Sequence, residues 1–154
     1  MVVIITKSII LAYPCPVCGS KRKIFENIDM EKMIITGGSK TDAGKNRIVP
    51  IHSKVLPFVK YFIGDANQNK RDSLFPVTNY KTWVYHFSML VKELGLEEGH
   101  RPHDCRKHFV TAAKEAGVDE YAIKRIVGHS ISDLTEKVYT DRSIKWLQME
   151  IEKM

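Results

Sequence analysis

The chain has 154 residues, enough for one domain around a single core. Its formal charge of +6 favours a polyanionic partner, of which nucleic acid is the commonest. The apolar share of 44% and charged share of 27% exclude a disordered chain. Three cysteines exclude a disulfide framework and fit a reducing, cytoplasmic setting.

The opening MVVIITKSIILAY is too short to span a bilayer, and Lys7 interrupts it. No small-residue cleavage site follows, so it reads as a buried helix or strand, stopped by Pro14, with no membrane partner and a signal peptide as the lesser alternative. PCPVCGSKRK is loop-like. MIIT and RIVPI read as two β-strands around the turn signals of GGSKTDAGKN. SKVLPFVKYFI reads as a short helix capped by Ser53, and GDANQNKRDSLFP as a polar loop. TNYKTWVYHFSMLVKELGL is amphipathic, with Trp83, Phe87, Leu90, Val91 and Leu94 on one stripe and Gly95 at its end.

The last third is helix after helix. Pro102 opens one as a first-turn residue and Gly117 closes it. Asp119 caps the next, which Gly128 ends. Asp133 and Glu136 form a capping-box pattern for a helix that holds Tyr139. Ser143 caps a final helix that turns Ile144, Leu147 and Ile151 inward on its own domain.

His103 and Arg106 are three residues apart, which puts them on one helix face, while Phe109, Ala112, Ala113 and Ala116 face the core. A guanidinium and an imidazole near a positive helix terminus suit a phosphate, because the planar fork of arginine binds two oxygens at once. His129 follows the helix end at Gly128 and can project from it. A phenol has a pKa of about 10, so Tyr139 needs neighbouring cations to act as a nucleophile. Singly, each residue has a plain explanation: a core tyrosine, a solvated helix start, a neighbour of a C-cap.

Together, HDCRKHF and IVGHSISDLTEKVYT resemble the end of the tyrosine recombinase (phage integrase) catalytic domain, and LFP and the hairpin SKTDAGKNRIVPI extend the likeness back to about Phe25. The resemblance implies an α+β, mainly α fold: a helical catalytic domain with a small antiparallel β-sheet at one edge. It implies a partial catalytic domain over residues 1–154, with the amino-terminal core-binding domain absent. By the resemblance, Tyr139 attacks a phosphodiester of double-stranded DNA and forms a 3′-phosphotyrosyl link. Arg106 clamps the non-bridging oxygens, His103 moves the phenol proton, and His129 hydrogen-bonds the phosphate. Lys40, at the hairpin turn, matches the lysine that protonates the leaving 5′-oxygen, although turn solvation explains a lysine there equally well. Lys45, Arg47, Lys107 and Arg142 are the expected DNA-backbone contacts, beside Lys21, Arg22 and Lys23. Neither a cofactor nor a metal is implied, and family members assemble as tetramers on DNA, in which the last helix often docks on a neighbour, so that docking by SIKWLQMEIEKM is the alternative to packing on its own domain.

The sequence departs from the family at one place. FENIDMEK matches a family segment, but PCPVCGSKRK stands where the family has a helix carrying a second catalytic arginine, and no arginine precedes Arg22. Weakened cleavage is therefore expected, and an inactive DNA-binding remnant is the alternative. A one-base shift of one spelling of PVCGS reads Gly-Leu-Arg-Ile, the missing motif, so the nucleotide sequence decides whether the stretch is a frameshift relic. A zinc or redox role for Cys15 and Cys18 lacks further ligands of suitable spacing.

Overall fold

The computed structural model describes residues 27–37, 46–72, 74, 80–97, 99–131 and 142–154. The apolar opening, Cys15 and Cys18, the hairpin turn with Lys40 and Lys45, and the segment with Asp133, Glu136 and Tyr139 lie outside the described residues.

Three short strands, β1 (Ile28–Asp29), β2 (Ile34–Gly37) and β3 (Arg47–Pro50), form an antiparallel sheet in that order. The register sets Ile35 opposite Val49 and Gly37 opposite Arg47. The hairpin β2–β3 is the one expected from its β-branched arms. Strand β1 adds an edge that two residues are too few to signal. Among the described residues five helices follow: α1 (Leu56–Gln68), α2 (Tyr80–Glu93), α3 (Pro102–Glu115), α4 (Glu120–Val127) and α5 (Ile144–Ile151). The described residues are thus mainly helical, with one small sheet.

Local chemistry accounts for most of the boundaries. Pro102 sits in the first turn of α3, and the Asp104 carboxylate accepts the Arg101 N–H at 2.8 Å. The Asp119 carboxylate accepts from the N–H groups of Tyr121 and Ala122 at the start of α4. Gly128, at φ +72°, ends α4 in the left-handed conformation that glycine adopts without steric cost. Ser143 accepts the Trp146 N–H and caps α5.

Ser53 behaves otherwise. It does not cap α1, which starts after Val55 without a side-chain cap. Its N–H and hydroxyl both donate to the Glu152 carboxylate, each at 2.6 Å, because the end of α5 brings that acceptor alongside. Helix α1 also runs on through GDANQ, beyond the expected boundary. Ala66 is fully buried there, and Asp65 accepts from Asn69 and pairs with Arg71. Leu94 falls outside α2 and is 47% exposed, since Gly95 at φ +63° turns the chain and Leu96 N–H bonds back to the Val91 carbonyl.

One core cluster joins Val49 of β3 to Phe109 and Ala113 of α3, Ala122, Ile123, Ile126 and Val127 of α4, and Leu147 and Ile151 of α5. A second joins Ile35 and Ile51 to Val59 of α1 and Leu74. A third packs Phe87 and Val91 of α2 on Cys105 of α3. Helix α5 packs on its own domain, as expected, with Leu147 and Ile151 inward. It is held there by polar contacts as well: buried Glu150 accepts the Asp119 N–H at 2.8 Å and the Lys153 ammonium at 2.7 Å. Leu147 is 2% exposed at the meeting of β3, α4 and α5. Leu147→Ala is expected to lower unfolding free energy by about 2–5 kcal/mol, read as a reduced urea midpoint at unchanged slope.

Candidate functional site

Three elements meet at the end of α4. Their meeting point is the carbonyl of Val127, one of the helix-terminal acceptors that the helix itself leaves unpaired. Arg106, from the second turn of α3, donates Nη2–H to it. Arg47, the first residue of β3, donates Nη1–H to the same oxygen at 2.9 Å. The negative end of the α4 dipole favours cations here. The inward stripe of α3 fixes the approach: Cys105, Phe109 and Ala113 are buried, so Arg106 is carried half-buried along the flank toward α4.

His129 stands two residues beyond Val127. The N–H groups of Gly128 and His129 both donate to the Lys124 carbonyl, at 2.8 and 3.0 Å, which sets the backbone just past the helix end. The His129 side chain is exposed, as is that of His103 on the first turn of α3. Desolvation, then the Arg106 charge and then His103 hold the His129 imidazole below its ordinary pKa. The Arg106 guanidinium is likewise shifted down, by burial first and then by Arg47. It remains a cation at neutral pH. Among the described residues no carboxylate forms an ion pair with Arg106.

Of the sequence-derived candidates, Arg106 and Arg47 meet at the Val127 oxygen, His129 follows that residue by two positions, and the charges of Arg106 and His103 act on His129. Lys40, Lys45 and Tyr139 lie outside the described residues. Lys107 is exposed on α3, its ammonium 3.1 Å from Asp104. Arg142 lies apart from the cluster. Its guanidinium covers the Trp146 ring at 4.3 Å and the Tyr121 ring at 5.6 Å, and sits 3.7 Å from the Asp119 carboxylate. Residue 142 is thereby tied to α4 and α5. What sequence reasoning missed is the Val127 carbonyl and the pairing of Arg47 with Arg106, since a backbone oxygen carries no residue-type signal and the two arginines come from separate elements.

Two partly buried guanidiniums and two exposed imidazoles give chemistry that can hold an anion. The fork geometry and positive field suit a phosphate with several acceptor oxygens, and a neutral imidazole can donate one further hydrogen bond to it. Among the described residues no group of His, Cys, Asp and Glu has the arrangement to hold a metal ion, and no helix is long and apolar enough to cross a membrane.

The family model described as "Phage integrase family" matches residues 24–145. The protein named tyrosine recombinase XerA of Pyrococcus horikoshii is 32% identical over 143 residues, covering 83% of this chain and 46% of that protein. Those of Thermococcus onnurineus and Pyrococcus furiosus are 32% and 28% identical, covering 82% and 83% of this chain. The chain spans about half the length of the curated relatives it matches, 46% in each case. No solved structure matches it.

Folded His129 binds its proton more weakly than the unfolded chain does. Its contribution to stability is therefore complete above about pH 6.5, is lost as the pH falls below that value, and levels off below the folded pKa. Imidazole NMR titration is expected to give a His129 midpoint below about 6.5, and Arg106→Gln is expected to raise it. An unmoved midpoint would separate the two side chains.

Proposed function

This chain belongs to the phage integrase family, and from that premise we propose that it cleaves and rejoins double-stranded DNA through a covalent phosphotyrosine. The observation that supports the reading is Arg106 held on the carbonyl at the end of α4, two residues before His129, whose proton affinity burial, Arg106 and His103 lower.

In this reading the Tyr139 hydroxyl loses its proton to His103 and its oxygen attacks the phosphorus. The phosphorus–O5′ bond breaks, its electron pair leaves on O5′, and Lys40 donates the proton that completes the 5′-hydroxyl. The phosphotyrosine retains the bond energy, so rejoining by a 5′-hydroxyl needs no high-energy cofactor. Arg106 and His129 hold the non-bridging oxygens as charge builds on the pentacovalent phosphorus, where preorganised donors contribute most. The depressed proton affinity of His129 suits it to donate a hydrogen bond as a neutral ring. Lys45 and Lys107 add backbone contacts, which position DNA without reading its sequence.

The missing amino-terminal arginine favours weak cleavage, by about a hundredfold or more for one lost preorganised donor. It also supports the second reading, a DNA-binding chain without chemistry. A pool of nicked duplexes of randomised sequence tests both. The chain is expected to yield a small SDS-resistant protein–DNA adduct that Tyr139→Phe abolishes while salt-sensitive duplex binding persists. Binding with no adduct in the parent chain selects the second reading. An adduct that survives Tyr139→Phe defeats the assignment of the nucleophile.

A further inference from the structure

We infer that Arg142 is a positioning residue: its guanidinium, stacked on Tyr121 and Trp146, anchors the chain behind Tyr139 to the amino end of α4. This inference rests on the DNA-cleaving reading above and deepens it.

Arg142 directly precedes Ser143, the cap of α5. Its guanidinium carbon stands 4.3 Å from the centre of the Trp146 ring, in the first turn of α5. It stands 5.6 Å from the centre of the Tyr121 ring, in the first turn of α4. Both distances fall within cation–π range, about 6 Å. The two rings are themselves tilted neighbours, 6.1 Å apart. Asp119 divides its carboxylate between two tasks. Its Oδ1 accepts the N–H groups of Tyr121 and Ala122 and caps α4. Its Oδ2 faces Arg142 Nη1 at 3.7 Å. An ion pair this exposed contributes little by itself, so the stacked plane carries most of the hold. The residue type alone suggests a DNA-backbone contact, but this guanidinium is already seated on two rings beside a carboxylate.

What the anchor does follows from the two ends of α4. The amino end takes Arg142. The carboxyl end carries the Val127 carbonyl that holds Arg106, with His129 two residues on. Between them Ala122, Ile123, Ile126 and Val127 fix the helix in the core. Its eight residues span about 12 Å. Tyr139 precedes Arg142 by three residues, and three residues of chain reach at most about 10 Å. A hold on residue 142 therefore confines the phenol to a region comparable to the length of α4. Nucleophile and phosphate-binding groups are then referred to one rigid body. Helix α5 by itself begins only at Ile144, and Arg142 carries its grip two residues closer to the tyrosine. Small displacements of a reacting group cost rate far more than affinity.

That split is the test. On the pool of nicked duplexes, Arg142→Ala is expected to lower the single-turnover rate of adduct formation at saturating DNA, by up to about a hundredfold, with duplex affinity unchanged. A parental rate overturns the proposal; a weaker affinity with a salt slope reduced by about one then makes Arg142 a phosphate contact. Trp146→Leu removes the stack from the other side. It is expected to lower the rate similarly and to add nothing to Arg142→Ala, whereas additive losses overturn the shared anchor. Should Arg142→Ala fail to fold, Arg142→Lys keeps the charge and loses the plane; a lowered rate at parental affinity supports the anchor, and a parental rate overturns it. A parent chain that binds duplex and forms no adduct sinks the cleavage reading. The anchor then stands or falls on the backbone 15N–1H NOE of Tyr139: a fall in Arg142→Ala sustains it, and an unchanged value overturns it.

Discussion

A helix must stop somewhere, and where α4 stops it leaves carbonyls without partners. The Val127 oxygen is one of them, and it draws Arg47 from the sheet and Arg106 from α3. Three elements that touch through an apolar core are thus also tied at their polar rim by one backbone atom. The apolar side of the arrangement is the cluster of Val49, Phe109, Ile126 and Val127. Burial of these groups holds β3, α3 and α4 at fixed distance, and only then do two long side chains reach the same acceptor.

That geometry gathers like charge. Burial first, and then the charge of a neighbour, lowers the proton affinity of both Arg106 and His129: Arg47 acts on Arg106, and Arg106 and His103 act on His129. Packing against the core offsets the cost in the folded chain.

The far side of α4 is held by α5. Glu150 receives the first N–H of the Asp119 turn, while Glu152 takes both donors of Ser53 at the end of the sheet. Lys54 adds a contact to the Met154 carbonyl at 2.9 Å. Arg142 stacks on Trp146 and Tyr121 between these two anchors. The last helix therefore braces the element whose carboxyl end carries the site, and it fixes residue 142, three positions beyond Tyr139 in the sequence. Position of the site and stability of the fold share one scaffold.

Much of this was legible in the order of residues alone. Proline and glycine punctuate α3 and α4, Asp119 and Ser143 cap helices, and His103, Arg106 and His129 carry the family likeness, because such signals are local and act through two or three neighbouring peptide units. Other features depend on partners far along the chain. Ser53 reads as a cap until Glu152, 99 residues away, is brought beside it. Gly64 to Asn67 read as a loop until Ala66 finds a buried place in α1. Arg47 reads as one surface cation among many until folding sets it 80 residues across, on Val127. The sequence by itself determined the starts and stops of α3, α4 and α5, the arms of the hairpin and the residue types of the candidate site. Only tertiary packing decided which charges meet, because that depends on the distance between elements, and no periodicity within a segment encodes it.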